Sequence, residues 1–151
     1  MSTGFGNGNY ASNESPANLF DGNANTKYCI IVICESCTPD TGFYLTLERG
    51  SSLLEGFRIR TANDVPDRDP LTITIEGSNE DSSSLTSGSS WVLIYNGVSG
   101  LSTDPGRLTW GPYKFFSNLI TFSSYRFLVT TKRGVANLTQ YADVEFLSTK
   151  S

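Results

Sequence analysis

Apolar and polar residues alternate with period two along most of the chain, and this pattern predicts a protein built from short strands. In 42–48, Phe43, Leu45 and Leu47 alternate with Tyr44, Thr46 and Glu48, which sends the two sets to opposite faces of a half-buried strand. In 54–61, Phe57 and Ile59 alternate with Arg58 and Arg60, and in 71–76, Leu71, Ile73 and Ile75 alternate with Thr72, Thr74 and Glu76. A continuous apolar run at 28–33 has strand length, and further strands are predicted at 91–95, 107–116, 125–131 and 142–147, with 10–12 as an edge strand. Polar stretches rich in glycine, proline and serine separate them: a turn at 35–40 containing Pro39, a loop at 62–70, and a serine-rich insertion at 77–90 expected to be a mobile hairpin loop. No segment sustains a helical period and no fixed-length repeat is present. About eight short strands with turn-rich connections therefore predict an all-β fold, an antiparallel sandwich or barrel, and the alternation favours two sheets that each keep one wet face. The expected boundaries are a flexible lead-in at 1–9, one domain at 10–148 and a tail at 149–151.

One stretch follows neither period. Residues 18–26 concentrate oxygen donors around a glycine: Asp21 supplies a carboxylate, Gly22 permits a sharp turn, and Asn23, Asn25 and Thr26 add amide, hydroxyl and carbonyl oxygens. That is the ligand chemistry of a hard cation such as Ca²⁺, with Leu19 and Phe20 anchoring the loop to a core. The competing reading is a plain turn in which Asn and Asp side chains cap backbone amides.

Composition narrows the function classes. A net charge of −4 with no cluster of Lys or Arg argues against nucleic acid and against anionic membrane surfaces, since an acidic shell repels both. No apolar run reaches membrane-spanning length, and residues 1–6 carry neither the charged nor the apolar region of a signal peptide, so the chain reads as a module whose targeting signals, where it has any, lie outside it. The three cysteines, Cys29, Cys34 and Cys37, fall short of a zinc ligand set in a protein without histidine. A disulfide between Cys34 and Cys37 with Cys29 buried suits an exported protein, and three free thiols suit a reducing compartment. Two glycosylation sequons begin at Asn13 and Asn137 and are compatible with secretion. The absence of histidine also removes the usual Ser-His-Asp and Cys-His arrangements, and no carboxylate pairing points to glycoside hydrolysis, so no enzyme is expected.

Several motifs in order along the chain carry a resemblance: Asn-Leu-Phe-Asp-Gly-Asn at 18–23 with Thr26, Phe-Arg-Ile-Arg-Thr-Ala-Asn-Asp at 57–64, Thr-Ile-Glu-Gly-Ser-Asn at 74–79 followed by a tryptophan strand, and Tyr-Arg-Phe at 125–127. From about Tyr10 to Leu147 the chain resembles the discoidin, or coagulation-factor type C, superfamily and is similar in kind to family 32 carbohydrate-binding modules. The resemblance implies an eight-stranded antiparallel jelly-roll β-sandwich of the galactose-binding type with a structural Ca²⁺. It places the metal on the carbonyl of Asn18, the carboxylate of Asp21, the carbonyl of Asn23, the carbonyl and hydroxyl of Thr26, the carbonyl of Ala142 and the carboxylate of Asp143. The last position is usually Glu, so Asp143 departs from the pattern, and Glu145, next on the same face, is an alternative closure.

Fold analogy licenses a search for a recognition site on the loops at one rim, where an aromatic face packs on a pyranose and Arg, Asn or Asp fixes its hydroxyls. The loop richest in such groups supplies Asn63, Asp64, Arg68 and Asp69, whose charges otherwise pair locally or brace the next strand. Trp110, Tyr113 and Tyr141 are the stacking candidates, while Trp91 is assigned to the core. The expected partner is a glycan or cell-surface glycoconjugate bound by a non-catalytic carbohydrate-binding or adhesion module of a larger extracellular protein. The alternative is a protein-interaction domain without a sugar site. A lipid reader would need apolar spikes, for which Leu101 and Phe116 are the candidates, and is opposed by the acidic charge.

Overall fold

The computed structural model describes residues 2–5, 9–31 and 41–150 of the chain. Cys34, Cys37 and the Pro39 turn lie outside these residues. Within them ten strands form: β1 (Ser2–Phe5), β2 (Tyr28–Ile31), β3 (Thr41–Thr46), β4 (Ser52–Arg60), β5 (Pro70–Ser78), β6 (Val92–Val98), β7 (Lys114–Phe115), β8 (Ser124–Lys132), β9 (Leu138–Tyr141) and β10 (Asp143–Lys150). They build antiparallel sheets in the orders β1-β3-β8-β5-β6, β10-β4-β7 and β2-β9, the architecture of a β-sandwich.

The alternation seen in the sequence decides which side chains fill the space between sheets. Phe43 and Leu45 of β3, Phe57 and Ile59 of β4, Ile73 and Ile75 of β5, and Tyr125, Phe127 and Val129 of β8 are each at most 1% exposed. Phe127 sits among other rings, stacked on Phe43 at 5.4 Å and edge-on to Phe57 at 6.1 Å. Each such buried ring contributes about 1.5–3 kcal/mol of transfer free energy. Gly42 lets β3 approach β8: a Cβ there would lie 1.8 Å from the carbonyl oxygen of Phe127.

Several elements depart from the expected ones. Residues 2–5, in the expected lead-in, form β1 on the edge of the large sheet, and β10 runs to Lys150, into the expected tail. Residues 12–14 form a 3₁₀ turn, not an edge strand. The 107–116 stretch contributes only the two residues of β7, because Gly111 and Pro112 interrupt it. The serine-rich insertion is folded into two 3₁₀ turns, with Leu85 buried and the indole of Trp91 donating to the Leu85 carbonyl at 3.0 Å. Trp91 is buried as expected, although against Tyr44 and Arg126 and not within the main core cluster. The two proposed membrane spikes are corrected: Leu101 is fully buried and Phe116 packs against the core, its ring tilted against Tyr95 at 5.3 Å.

Candidate functional site

A 3₁₀ turn (Pro16–Phe20) carries the oxygen-rich loop onto the core, burying Leu19 and setting Phe20 edge-on to Phe43 at 5.2 Å. Gly22 then adopts φ +69°, the left-handed region that glycine alone enters without cost. The loop winds around Asp21. Its Oδ1 accepts the Asn23 amide at 2.8 Å and its Oδ2 accepts the Thr26 hydroxyl at 2.7 Å. That hydroxyl also lies 2.8 Å from the Asn23 carbonyl, so it has one proton for two acceptors. Asn25 is drawn in by its amide, 3.0 Å from Asn23 Oδ1. Asn18 ties the ends of the loop, its side chain donating to the carbonyls of Asn13 and Lys27 at 2.8 and 2.7 Å.

From β10, Asp143 joins this loop as a buried side chain, 4% exposed, whose Oδ2 has no hydrogen-bond partner. Its nearest cation is Arg60 Nη1 at 3.6 Å. Burial pushes the Asp143 carboxyl above its usual range, Arg60 opposes that, and the negative charge of Asp21 adds to it. The Asp21 carboxylate is thus near enough for its charge to be felt at Asp143. Among the described residues no three Asp, Glu, Cys or His side chains group around one point, so a cation here would take most of its oxygens from backbone carbonyls and the Thr26 hydroxyl. Glu145, the alternative closure, is engaged elsewhere: it accepts Arg58 Nε at 2.5 Å and the Tyr113 hydroxyl at 3.2 Å.

The expected recognition residues separate into three groups. The first is the rim loop. Asn63 and Asp64 are exposed, and Val65 is held at φ 38°, a strained conformation for a β-branched residue. What over-determines it is a set of braces: Gln140 Nε2 donates to the Asp64 carbonyl at 2.7 Å and to its Oδ1 at 2.8 Å, while the amides of Arg133 and Gly134 donate to the carbonyls of Asp69 and Asp67. Lys27 Nζ reaches Asp64 Oδ1 at 3.0 Å. Burial opposes the Asp64 charge, yet the hydrogen bonds from Lys27 and Gln140 and the charges of Lys27 and Arg68 outweigh it and hold the carboxyl below its usual range. Arg68 is half-buried, with only a long 3.4 Å contact from Nη1 to Gln140 Oε1 and with its Nε buried and unpartnered. Beneath the loop lies Cys29, 5% exposed, whose thiol burial pushes up to about 11, with Glu14 adding to the shift.

The second group is structural, and two expectations are corrected. Asp69 is fully buried and paired bidentately with Arg107 at 2.8 and 2.5 Å, with Arg133 3.5 Å away, so it braces the sandwich and is not presented to a ligand. Tyr141 is 0% exposed and packed edge-on to Tyr28 at 5.6 Å, so its ring is core and not a stacking surface. The third group lies on the outer face of the three-stranded sheet. There the Arg58 guanidinium sits 4.4 Å from the ring centroids of both Trp110 and Tyr113. Sequence reasoning passed over Lys27, Gln140 and Arg58. The outward alternation of Arg58 and Arg60 was the available signal for the last, whereas a buried glutamine on a four-residue strand gives none.

No protein-family model matches the chain, and no curated protein is significantly similar to it. Solved structures are similar over almost its whole length. The family 32 carbohydrate-binding module from C. perfringens NanJ, in complex with galactose, superimposes with a TM-score of 0.68 at 11% identity, covering 98% of this chain and 93% of that one. A second Clostridium perfringens module of this kind, in complex with GalNAc-β-1,3-galactose, gives 0.69 at 14% identity, covering 97% and 94%. A chitosan-binding module from the chitosanase/glucanase of Paenibacillus sp. IK-5, in complex with chitotriose, gives 0.68 at 15% identity, covering 96% and 94%. With these identities the likeness speaks for the backbone, and the chain has the galactose-binding-like, discoidin-type β-sandwich fold found in family 32 carbohydrate-binding modules.

Proposed function

We propose that the protein is a non-catalytic glycan-binding or adhesion module, braced by a structural Ca²⁺ and belonging to a larger extracellular protein. The observation that carries the sugar site is Arg68: a half-buried guanidinium held at the rim by one long contact, beside a loop already locked in a strained conformation. Its terminal Nη groups keep donor capacity that a sugar hydroxyl or ring oxygen can take up. Pre-organisation of the loop means little is lost in ordering it on binding. Asn63 and Asp64 stand beside Arg68 as exposed amide and carboxylate groups. The fold supports this reading, since similar structures were solved with galactose, GalNAc-β-1,3-galactose and chitotriose bound.

The calcium reading is supported by the residues that fit it. Asp21 and Asp143 would supply carboxylates, Asn18, Asn23, Thr26 and Ala142 backbone carbonyls and Thr26 its hydroxyl. When bound, the ion would neutralise both carboxylates and clasp the first loop to the last strand. Asp143 Oδ2, which has the Arg60 ion pair at 3.6 Å but no hydrogen bond, is the group such an ion would satisfy.

A glycan array is the direct screen. Reproducible binding that disappears in Arg68→Ala protein of unchanged melting temperature is expected, and binding that persists in that variant removes the rim site. A second reading, a protein-interaction domain, is favoured by one patch: Val92 and Leu93 on the edge strand β6 are 51% and 57% exposed beside Leu119 and Ile120 at 91% and 54%. Such a patch suits a protein contact. An array without hits would leave it ahead.

A further inference from the structure

We propose that the outer face of the β10-β4-β7 sheet carries a second glycan site, centred on Trp110 and Tyr113 and distinct from the rim loop. The proposal rests on the reading of the chain as a glycan-binding module. The register makes the face. Across the β4–β10 ladder Arg60 opposes Asp143, and Arg58 opposes Glu145. On the other side of β4, Arg60 bridges to Trp110 and Gly56 pairs with Phe115. Arg58 and Arg60 point away from the core, because Phe57 and Ile59 point into it, so three aromatic residues and two arginines collect on one surface.

The arrangement is fixed before any ligand arrives. The Arg58 guanidinium lies 4.4 Å from the centroids of both Trp110 and Tyr113, and that of Arg60 lies 5.6 Å from Trp110. Glu145 holds Arg58 Nε at 2.5 Å and the Tyr113 hydroxyl at 3.2 Å, which locks the rotamers of both. Phe115 extends the surface, 71% exposed and 6.0 Å from Tyr113. Trp110, Asp143 and Glu145 also border a neighbouring cavity of about 570 Å³ between β10 and the end of β3, whose remaining walls are largely apolar, among them Leu19, Phe20, Leu45 and Phe146.

This combination selects the chemistry of the ligand. Rings flanked by fixed carboxylates and guanidinium groups match a pyranose, whose C–H faces are apolar while its hydroxyls project at the edge. The site is also separate from the rim. Backbone pairing continues from Arg60 and Trp110 through Thr61 with Thr109 and Ala62 with Leu108 to the contact between Arg107 and Asp64. Residues 61–64 thus stand between the two sites, and 63–64 form a bend that turns the rim loop away from the ladder.

Two tryptophans make the test selective. The Trp91 indole is buried and donates to the Leu85 carbonyl, so it serves as an internal reference, while Trp110 reports on the face. Arg68→Ala protein labelled with nitrogen-15 is titrated separately with galactose and with chitotriose. The expected result is a saturable shift of the Trp110 indole signal with one of them while that of Trp91 stays, and a roughly tenfold weaker affinity in Phe115→Ala, whose exposed side chain carries little of the fold. A wild-type titration in which amides of 63–69 respond and the Trp110 indole does not would overturn the second site and leave the rim reading intact. A Trp110 shift that follows protein concentration without sugar would assign the face to a second copy of the chain and overturn it as well. No response to either sugar anywhere in the wild-type protein would remove the proposal together with the reading beneath it.

Discussion

Asp69 shows how burial changes what a charged residue means. In the sequence it sits beside Arg68 and Asp67 and invites a local pairing, yet its carboxylate is fully enclosed and held by Arg107 and Arg133, far along the chain. Removing it would leave Arg133 without a carboxylate and Arg107 with only Asp104, so Asp69→Asn is expected to cost about 3 kcal/mol, read as a lower urea midpoint at unchanged slope. Asp143 behaves in the opposite sense. Its carboxyl is raised in the native protein, so the native state binds the proton more readily than the unfolded one, and the ionised group is destabilising. That penalty is complete above the raised native value and is relieved as pH falls towards the unfolded value of about 3.9. Asp143→Asn is therefore expected to raise the melting temperature of calcium-free protein at pH 7 and to abolish any further rise on adding calcium. A lower melting temperature of the variant in chelator would contradict this account of the clasp.

At the level of elements, the strands were legible where a strand has one wet face. Phe57 and Ile59 against Arg58 and Arg60 gave β4, and Ile73 and Ile75 against Thr72 and Thr74 gave β5, because water on one side forces the alternation. Strand β9 was not legible, since Thr139, Gln140 and Tyr141 are all buried and the strand has no wet face to mark it. The grouping of the expected recognition residues was not readable: Trp110 meets Arg58 and Arg60, and Tyr141 turns into the core, through pairings set by the whole sandwich. The 18–26 loop was readable as an element because its chemistry is local. Gly22 has φ +69° and nothing within 4 Å of where a Cβ would stand, so Gly22→Ala meets no clash and carries only the backbone cost, about 1–2 kcal/mol. Thermal denaturation in calcium checks this; a fully tolerated alanine would mean the loop does not need the left-handed turn.

On the scale of the molecule, the buried braces and the exposed surfaces lie in different parts of the sandwich. The loop that holds Asp21 lies beside Asp143 of β10, and the Asp69 cluster joins the start of β5, the 104–107 loop and the end of β8. Phe20 and Gly22 of the loop share the cavity with Trp110, so the clasp and the outer face are neighbours. The expected glycan affinity is modest, since few polar groups converge on either site, and a Kd of 1 mM corresponds to only about 4 kcal/mol. Isothermal titration of the wild-type protein with the glycans found on the array, carried to roughly ten times that concentration, is the most direct measurement of the central claim. Saturable heat that is reduced in Arg68→Ala protein of unchanged fold is the result the account predicts; an absence of saturable heat with every sugar tried would contradict it.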